Sequence, residues 1–266
     1  MNRIDKLFTE KQSDILSIYY PAGYPTIEDT MPILRELQCQ GIDMVEIGIP
    51  FSDPMADGVV IQNAATKALE NGISLKKLFS QIEQMRSEIQ IPVILMGYLN
   101  PIMRFGFERF CQECRRTGVD GVIIPDLPLH DYIADFKEIA NHHNLKMIMF
   151  ISPETSSERI KMIDKEASGF IYMVSSAGTT GAKADFSQSQ HDYFRRINEM
   201  KLKNPRMIGF GISNQQTYRA ATGNAQGAIV GSHFVKILGE EGTIQSKVER
   251  LISSLNPHCH ASRSKP

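Results

Sequence analysis

The sequence predicts an α/β fold, a single (β/α)8 TIM barrel with an N-terminal extra helix, from three observations. Eight short apolar runs alternate with longer amphipathic stretches along the 266 residues. Eight strand–helix units in that length match the usual size of one barrel, about 250 residues. No linker-like change of composition divides the chain, so residues 1–256 are assigned to one barrel domain and 257–266 to a polar C-terminal tail. A doubly wound open sheet competes, but its G-x-G-x-x-G turn is missing after the first apolar run, where the chain reads Pro21-Ala22-Gly23-Tyr24-Pro25.

In chain order, residues 2–9 read as the extra helix, placed to cap the bottom of the barrel. Strands are expected at 15–20, 44–49, 93–98, 121–125, 146–151, 169–174, 206–211 and 227–230, short runs with the continuous apolarity of strands buried on both faces. Between them, helical periodicity falls at 27–38, at 61–70 with 75–87, and at 101–116, 131–142, 156–165, 185–200 and 215–221, with a closing helix at 244–255. Ser232 is expected to N-cap one more short helix, 232–238.

Composition narrows the function. A hydrophobic content of 42% is ample for a large core, and a net charge of -1 leaves no electrostatic footprint for nucleic acid or an anionic membrane. Residues 1–10 contain no apolar signal region, and no stretch approaches the roughly 18 to 20 apolar residues of a membrane span, so a cytoplasmic location is expected. Cys39, Cys111, Cys114 and Cys259 form no disulfide framework. Cys111 and Cys114 share a helical face with Phe107 and Phe110, which reads as core. Neither His142-His143 nor His258-Cys259-His260 has a partner cluster at metal-ligand spacing, so no metal is expected.

The chemistry is concentrated in residues 45–58, Val-Glu-Ile-Gly-Ile-Pro-Phe-Ser-Asp-Pro-Met-Ala-Asp-Gly. Glu46 stands inside a doubly buried strand, where an ionised carboxylate costs several kcal/mol unless it is paired or functional, and burial moves its pKa upward into proton-transfer range. A structural ion pair is the competing reading. Asp57 lies on the loop beyond, and in parallel α/β folds the loops at the carboxyl ends of strands hold the ligand. Two acids converging there suggest acid/base catalysis.

Small-residue turns mark a phosphate end. Gly209-Phe210-Gly211-Ile212-Ser213 follows the seventh strand, Val230-Gly231-Ser232 the eighth, and Gly178-Thr179-Thr180-Gly181 the sixth. Any one is an ordinary tight turn, but three at the mouth suggest a cradle of backbone N–H groups for an anion. A Schiff-base lysine mechanism is disfavoured because no Lys is expected near the carboxyl end of a strand: Lys146 begins the fifth strand and Lys236 falls inside a helix.

These residues resemble the alpha subunit family of tryptophan synthase. The resemblance covers residues 45–58, Gln62-Asn63-Ala64, Gly97-Tyr98-Leu99-Asn100-Pro101, Pro125-Asp126-Leu127-Pro128 and the three turns, spanning nearly the whole chain in barrel order. It implies a lyase that cleaves indole-3-glycerol phosphate to indole and glyceraldehyde 3-phosphate. It also implies a beta subunit partner in an alpha-beta-beta-alpha heterotetramer, with pyridoxal phosphate held by that partner and no cofactor here. By resemblance, Glu46 is the general acid/base at indole C3 and Asp57 the carboxylate facing the indole N–H. Tyr172 lines the site, and Tyr19, Ile61, Met96, Tyr98, Ile151 and Phe210 enclose the indole; without the resemblance, those six read as core. Gly211, Gly231 and Ser232 hold the phosphate, and Thr180 and Gly181 belong to a loop that closes over Asp57. The loop at 51–60 is expected to face the beta subunit as well.

There are departures. Ser176 stands where better-known members carry Arg, and the polar tail is longer than the family pattern leads one to expect. The absence of Trp fits an enzyme made during tryptophan shortage. The rival from a different class is a non-catalytic subunit that binds a phosphate ligand and regulates its partner; a buried carboxylate facing the ligand argues against it.

Overall fold

The computed structural model describes residues 1–175 and 185–255. Eight parallel strands close into a barrel in sequence order: β1 (Ile15–Pro21), β2 (Met44–Gly48), β3 (Val93–Met96), β4 (Gly121–Ile123), β5 (Lys146–Ile151), β6 (Ile171–Val174), β7 (Arg206–Gly209) and β8 (Gly227–Val230). Closure is made by β8 pairing with β1, Ile15 opposite Gly227 and Ile18 opposite Val230. The helices are α1 (Arg3–Glu10), α2 (Thr30–Cys39), α3 (Val59–Glu70), α4 (Leu75–Gln81), α5 (Leu99–Phe105), α6 (Phe107–Thr117), α7 (Leu129–Asp131), α8 (Lys137–His142), α9 (Ser157–Glu166), α10 (Gln188–Glu199), α11 (Gln215–Thr222), α12 (Ser232–Leu238) and α13 (Ile244–Leu255).

Alternation along each strand splits the core in two. One set of side chains, including Ile15, Met44, Ile94, Ile123, Ile148, Phe170, Met207 and Ile229, fills the lumen. The other, including Ile18, Val45, Ile47, Leu95, Val122, Met149, Ile171 and Ile208, packs against the surrounding helices. The extra helix α1 plugs the lower end as expected: Ile4 is fully buried within the lumen set, and the ring of Phe8 packs at a tilt against Phe170 with centres 5.9 Å apart. Asn2 caps α1 by accepting from the Ile4 N–H at 2.9 Å, and ties it to the barrel by donating to the Asp120 carbonyl at 2.8 Å.

Three sequence expectations are corrected. The single helix expected at 101–116 is two, because Gly106 takes φ +93° between α5 and α6, a conformation that favours glycine. The helix expected at 131–142 contains a π turn at Tyr132–Phe136. Ser232 is the first residue of α12 rather than its N-cap: Gly231 holds the cap position and no side chain caps the helix.

Candidate active site

The carboxyl ends of the strands surround a cavity of about 400 Å³, whose lining includes Tyr19, Asp57, Ile61, Met96, Tyr172, Phe210, Gly211, Gly231, Ser232 and Lys236. The elements bring these residues together from β1, β3, β6, the loop after β2, the turns after β7 and β8, and helices α3 and α12. Two glycines make room for the aromatic walls. A Cβ on Gly48 would collide with the hydroxyl of Tyr19, and one on Gly209 with the hydroxyl of Tyr172. Phe150 packs against Tyr172 with ring centres 4.6 Å apart, and Phe210 meets it edge-to-face at 6.2 Å.

Glu46 lies opposite Tyr19 in the β1–β2 register and on the lumen face with Met44 and Gly48. It is fully buried and does not itself form the cavity wall, but its charge acts on Tyr19 and Tyr172, which do. Among the described residues no cation pairs with it: Oε1 accepts a hydrogen bond from Ser17 Oγ at 2.9 Å, and Oε2 has no partner there. The structural ion-pair reading finds no cationic partner among the described residues. Burial pushes the Glu46 carboxyl up to about 8, opposed in part by the Ser17 hydrogen bond.

Asp57 is half-buried on the loop after β2, and burial raises its pKa, against the hydrogen bond from Tyr98. Tyr98 is a clamp rather than a wall. Its hydroxyl donates to Asp57 Oδ2 at 2.9 Å and accepts from the Ala56 N–H at 2.9 Å, while Gln62 Nε2 holds the Asp57 carbonyl at 2.8 Å. The strand-3 end is itself fixed by Asp126, whose Oδ1 accepts from the Leu99 N–H at 2.8 Å.

After β7 the backbone is bent into an unusual shape. Phe210 and Gly211 have consecutive positive φ values of 69° and 75°. For a bulky residue this is a strained conformation of the kind stored at functional sites. Ser175 Oγ holds it by donating to the Phe210 carbonyl at 2.8 Å. The turn thereby brings Gly211 to the cavity beside Gly231 and Ser232.

Residues 6–262 match the family model described as tryptophan synthase alpha chain. The chain belongs to the tryptophan synthase alpha chain family. It is 62% identical over 255 residues to the tryptophan synthase alpha chain of Parabacteroides distasonis, covering 96% of this chain and 99% of that one. Its fold is similar to the alpha subunit from Legionella pneumophila, with TM-score 0.85, 33% identity and coverage of 96% and 97%. It is also similar to a chain of the tryptophan synthase complex from Pyrococcus furiosus, with TM-score 0.84, 34% identity and coverage of 92% and 98%. The rival reading of a non-catalytic subunit finds no support among these relatives.

Set against the family resemblance, Tyr19, Asp57, Ile61, Met96, Tyr172, Phe210, Gly211, Gly231 and Ser232 meet around one cavity. Ile151 does not: strand alternation turns it into the helix-facing core with Met147 and Met149, and the inward residue of that strand end is Phe150. Thr180, Gly181 and Ser176, with the tail at 256–266, lie outside the described residues. Lys236, set aside in the sequence as lying inside a helix, lines the cavity from α12, four residues after Ser232 and so on the same helix face, so the expectation of no Lys near the strand carboxyl ends is corrected. Sequence reasoning missed Ser17, whose partner is distant in sequence. Among the described residues, no group of three or more His, Cys, Asp or Glu is arranged to hold a metal ion.

Proposed function

We propose that Glu46 and Asp57 carry the alpha-chain reaction, with the indole between Tyr19, Ile61, Met96 and Tyr172 and the phosphate at Gly211, Gly231 and Ser232. The chain is a carbon–carbon lyase of tryptophan biosynthesis that cleaves indole-3-glycerol phosphate to indole and glyceraldehyde 3-phosphate. The observation that carries the assignment of roles is Glu46 itself: a wholly buried carboxyl with one oxygen unpartnered among the described residues, raised to about 8 by burial and standing beside the aromatic wall.

At that pKa a carboxyl near neutral pH is both a usable acid and, once spent, a usable base. Its proton goes to indole C3, turning the enamine-like ring into an indolenine whose C=N–H⁺ draws electrons. Asp57 faces the ring N–H and stabilises the charge that develops there. The Glu46 carboxylate then takes the proton of the hydroxyl on the adjacent side-chain carbon. The C3–carbon bond breaks, its electron pair restores the indole, and the aldehyde leaves with the phosphate. Glu46 ends protonated as it began.

The phosphate is held by local backbone N–H groups rather than by an overall positive charge, in keeping with a net charge of -1, and Lys236 adds one cation at that end. The solved complex among the similar structures supports a beta subunit partner. We assign the pyridoxal phosphate to that partner and an alpha-beta-beta-alpha heterotetramer to the assembly. Met55 and Val59, 87% and 69% exposed on either side of Asp57, give the docking loop an apolar face next to a catalytic carboxylate. Partner contact on this loop would then bear directly on Asp57. A charged phosphate ester substrate does not cross membranes unaided, which supports a cytoplasmic location; no helix among the described residues is long and apolar enough to span one.

The test is indole release from indole-3-glycerol phosphate by the full chain, alone and with a beta subunit plus serine. Wild type is expected to be stimulated by the partner. Glu46→Gln is expected to be inactive in both settings while still binding a phosphate-bearing substrate analogue. Substantial turnover by Glu46→Gln would remove the acid/base assignment.

A further inference from the structure

Ser17 is a hydroxyl in a place built for hydrocarbon. It lies in β1 between Ile15 and Tyr19, is fully buried, and the lumen side chains around it include Ile15, Met44, Ile94 and Ile229. A buried hydroxyl there costs stability unless it is satisfied, and a methyl or isopropyl group would fill a lumen position without that cost. Its side chain makes one hydrogen bond, to Oε1 of Glu46 at 2.9 Å. The two oxygens of that carboxyl are thus unequal: Oε1 is tied, and Oε2 is buried without a partner among the described residues.

We propose that Ser17 is the positioning residue of the acid/base, its hydroxyl fixing Oε1 so that Oε2 is the oxygen that gives and takes the proton. The proposal rests on Glu46 being that acid/base. Ser17 neither gains nor loses a proton in the cycle. Its O–H donates to Oε1 throughout, while Oε2–H passes its proton to indole C3 and the carboxylate recovers one from the substrate hydroxyl. The same donor strengthens in the carboxylate state, because hydrogen bonds to ionised acceptors are the stronger ones. It therefore makes the charged intermediate form accessible inside an apolar barrel, where desolvation alone would hold the carboxyl protonated to higher pH.

The experiment compares Ser17→Ala, Ser17→Thr and Glu46→Gln in the full chain, measuring kcat and KM for indole release from pH 5.5 to 9.5. For Ser17→Ala we expect kcat about tenfold lower with KM nearly unchanged, and the pH limb belonging to Glu46 moved up by about one pH unit, since the lost hydrogen bond favoured the carboxylate. Ser17→Thr, which keeps the hydroxyl, is expected to restore the wild-type position of the limb. A Ser17→Ala enzyme with the wild-type kcat and pH profile overturns the proposal, as does a loss of kcat with the limb unmoved, which a packing role alone would produce. If Glu46→Gln turns over, the acid/base reading itself fails; if Glu46→Gln is inactive while Ser17→Ala behaves as wild type, only the role of Ser17 falls.

Discussion

Replacing Glu46 by Gln is expected to stabilise the protein at alkaline pH while abolishing its activity. The carboxyl is fully buried, and its pKa rises from 4.5 to about 8 on folding, with desolvation the leading cause. Between those two values the native state holds a proton that the unfolded chain has released. Native stability is thus fully present below pH 4.5, declines as pH rises toward 8, and levels off above it. At about 1.4 kcal/mol per pH unit the full decline is on the order of 3 to 5 kcal/mol, a large part of the total stability of a domain. Gln keeps the shape and an oxygen for the Ser17 hydroxyl but cannot ionise. Urea unfolding of both proteins at pH 5, 6.5 and 8 reads the difference directly from the midpoint. The two are expected to be similar at pH 5, with Glu46→Gln more stable by a margin that grows toward pH 8. A margin that stays constant across this range would mean that Glu46 is not held neutral by burial, and the proton-transfer argument would lose its physical basis.

Four other outcomes follow from the same geometry. Tyr98→Phe removes the donor to Asp57 Oδ2 and the acceptor of the Ala56 N–H, so kcat/KM is expected to fall about tenfold, the equivalent of one hydrogen bond to a charged group; a value within twofold of wild type would show that the clamp is idle. Asp57→Asn is expected to lower kcat strongly with a smaller effect on analogue binding, and equal losses in both would make Asp57 a binding residue instead. Gly231→Ala is the clean probe of the anion cradle: its Cβ meets Tyr19 no closer than 3.5 Å, so weakened binding of a phosphate-bearing analogue at unchanged Tm is expected, whereas Gly211→Ala must also lose stability because Gly211 has φ +75°. Gly48→Ala places a Cβ 2.7 Å from Cζ of Tyr19 and is expected to cost about 1 to 3 kcal/mol, recovered in part by Tyr19→Leu; calorimetry of the single and double variants checks both.

Much of the fold was legible because periodicity is a local signal. The runs at 15–20, 146–151 and 227–230 became strands within a residue of their expected ends. Helix breaks were less legible: Gly106 interrupts an amphipathic pattern that continues on both sides of it, and only its backbone angle shows two helices. In the site, Glu46 and Asp57 stood out because a carboxylate in an apolar run, and a second just beyond it, are anomalies of sequence. Ile151 was misplaced for the opposite reason. Phe150 and Ile151 are both apolar, so the pattern does not say which of the two faces the lumen, and the pairing register settles it.

The sequence by itself determined the barrel, the family, and the pair of acids, since each is written in patterns that span a few neighbouring residues. Tertiary structure alone decided how those acids are held. Ser17 reaches Glu46 across 29 positions, Tyr98 reaches Asp57 across 41, and Gly48 and Gly209 matter only through the rings of Tyr19 and Tyr172 that occupy the space a side chain would take. Hydrogen bonds and excluded volume act over a few ångströms in space and carry no trace in the spacing of residues along the chain, so barrel closure had to bring the strands together before these partners existed.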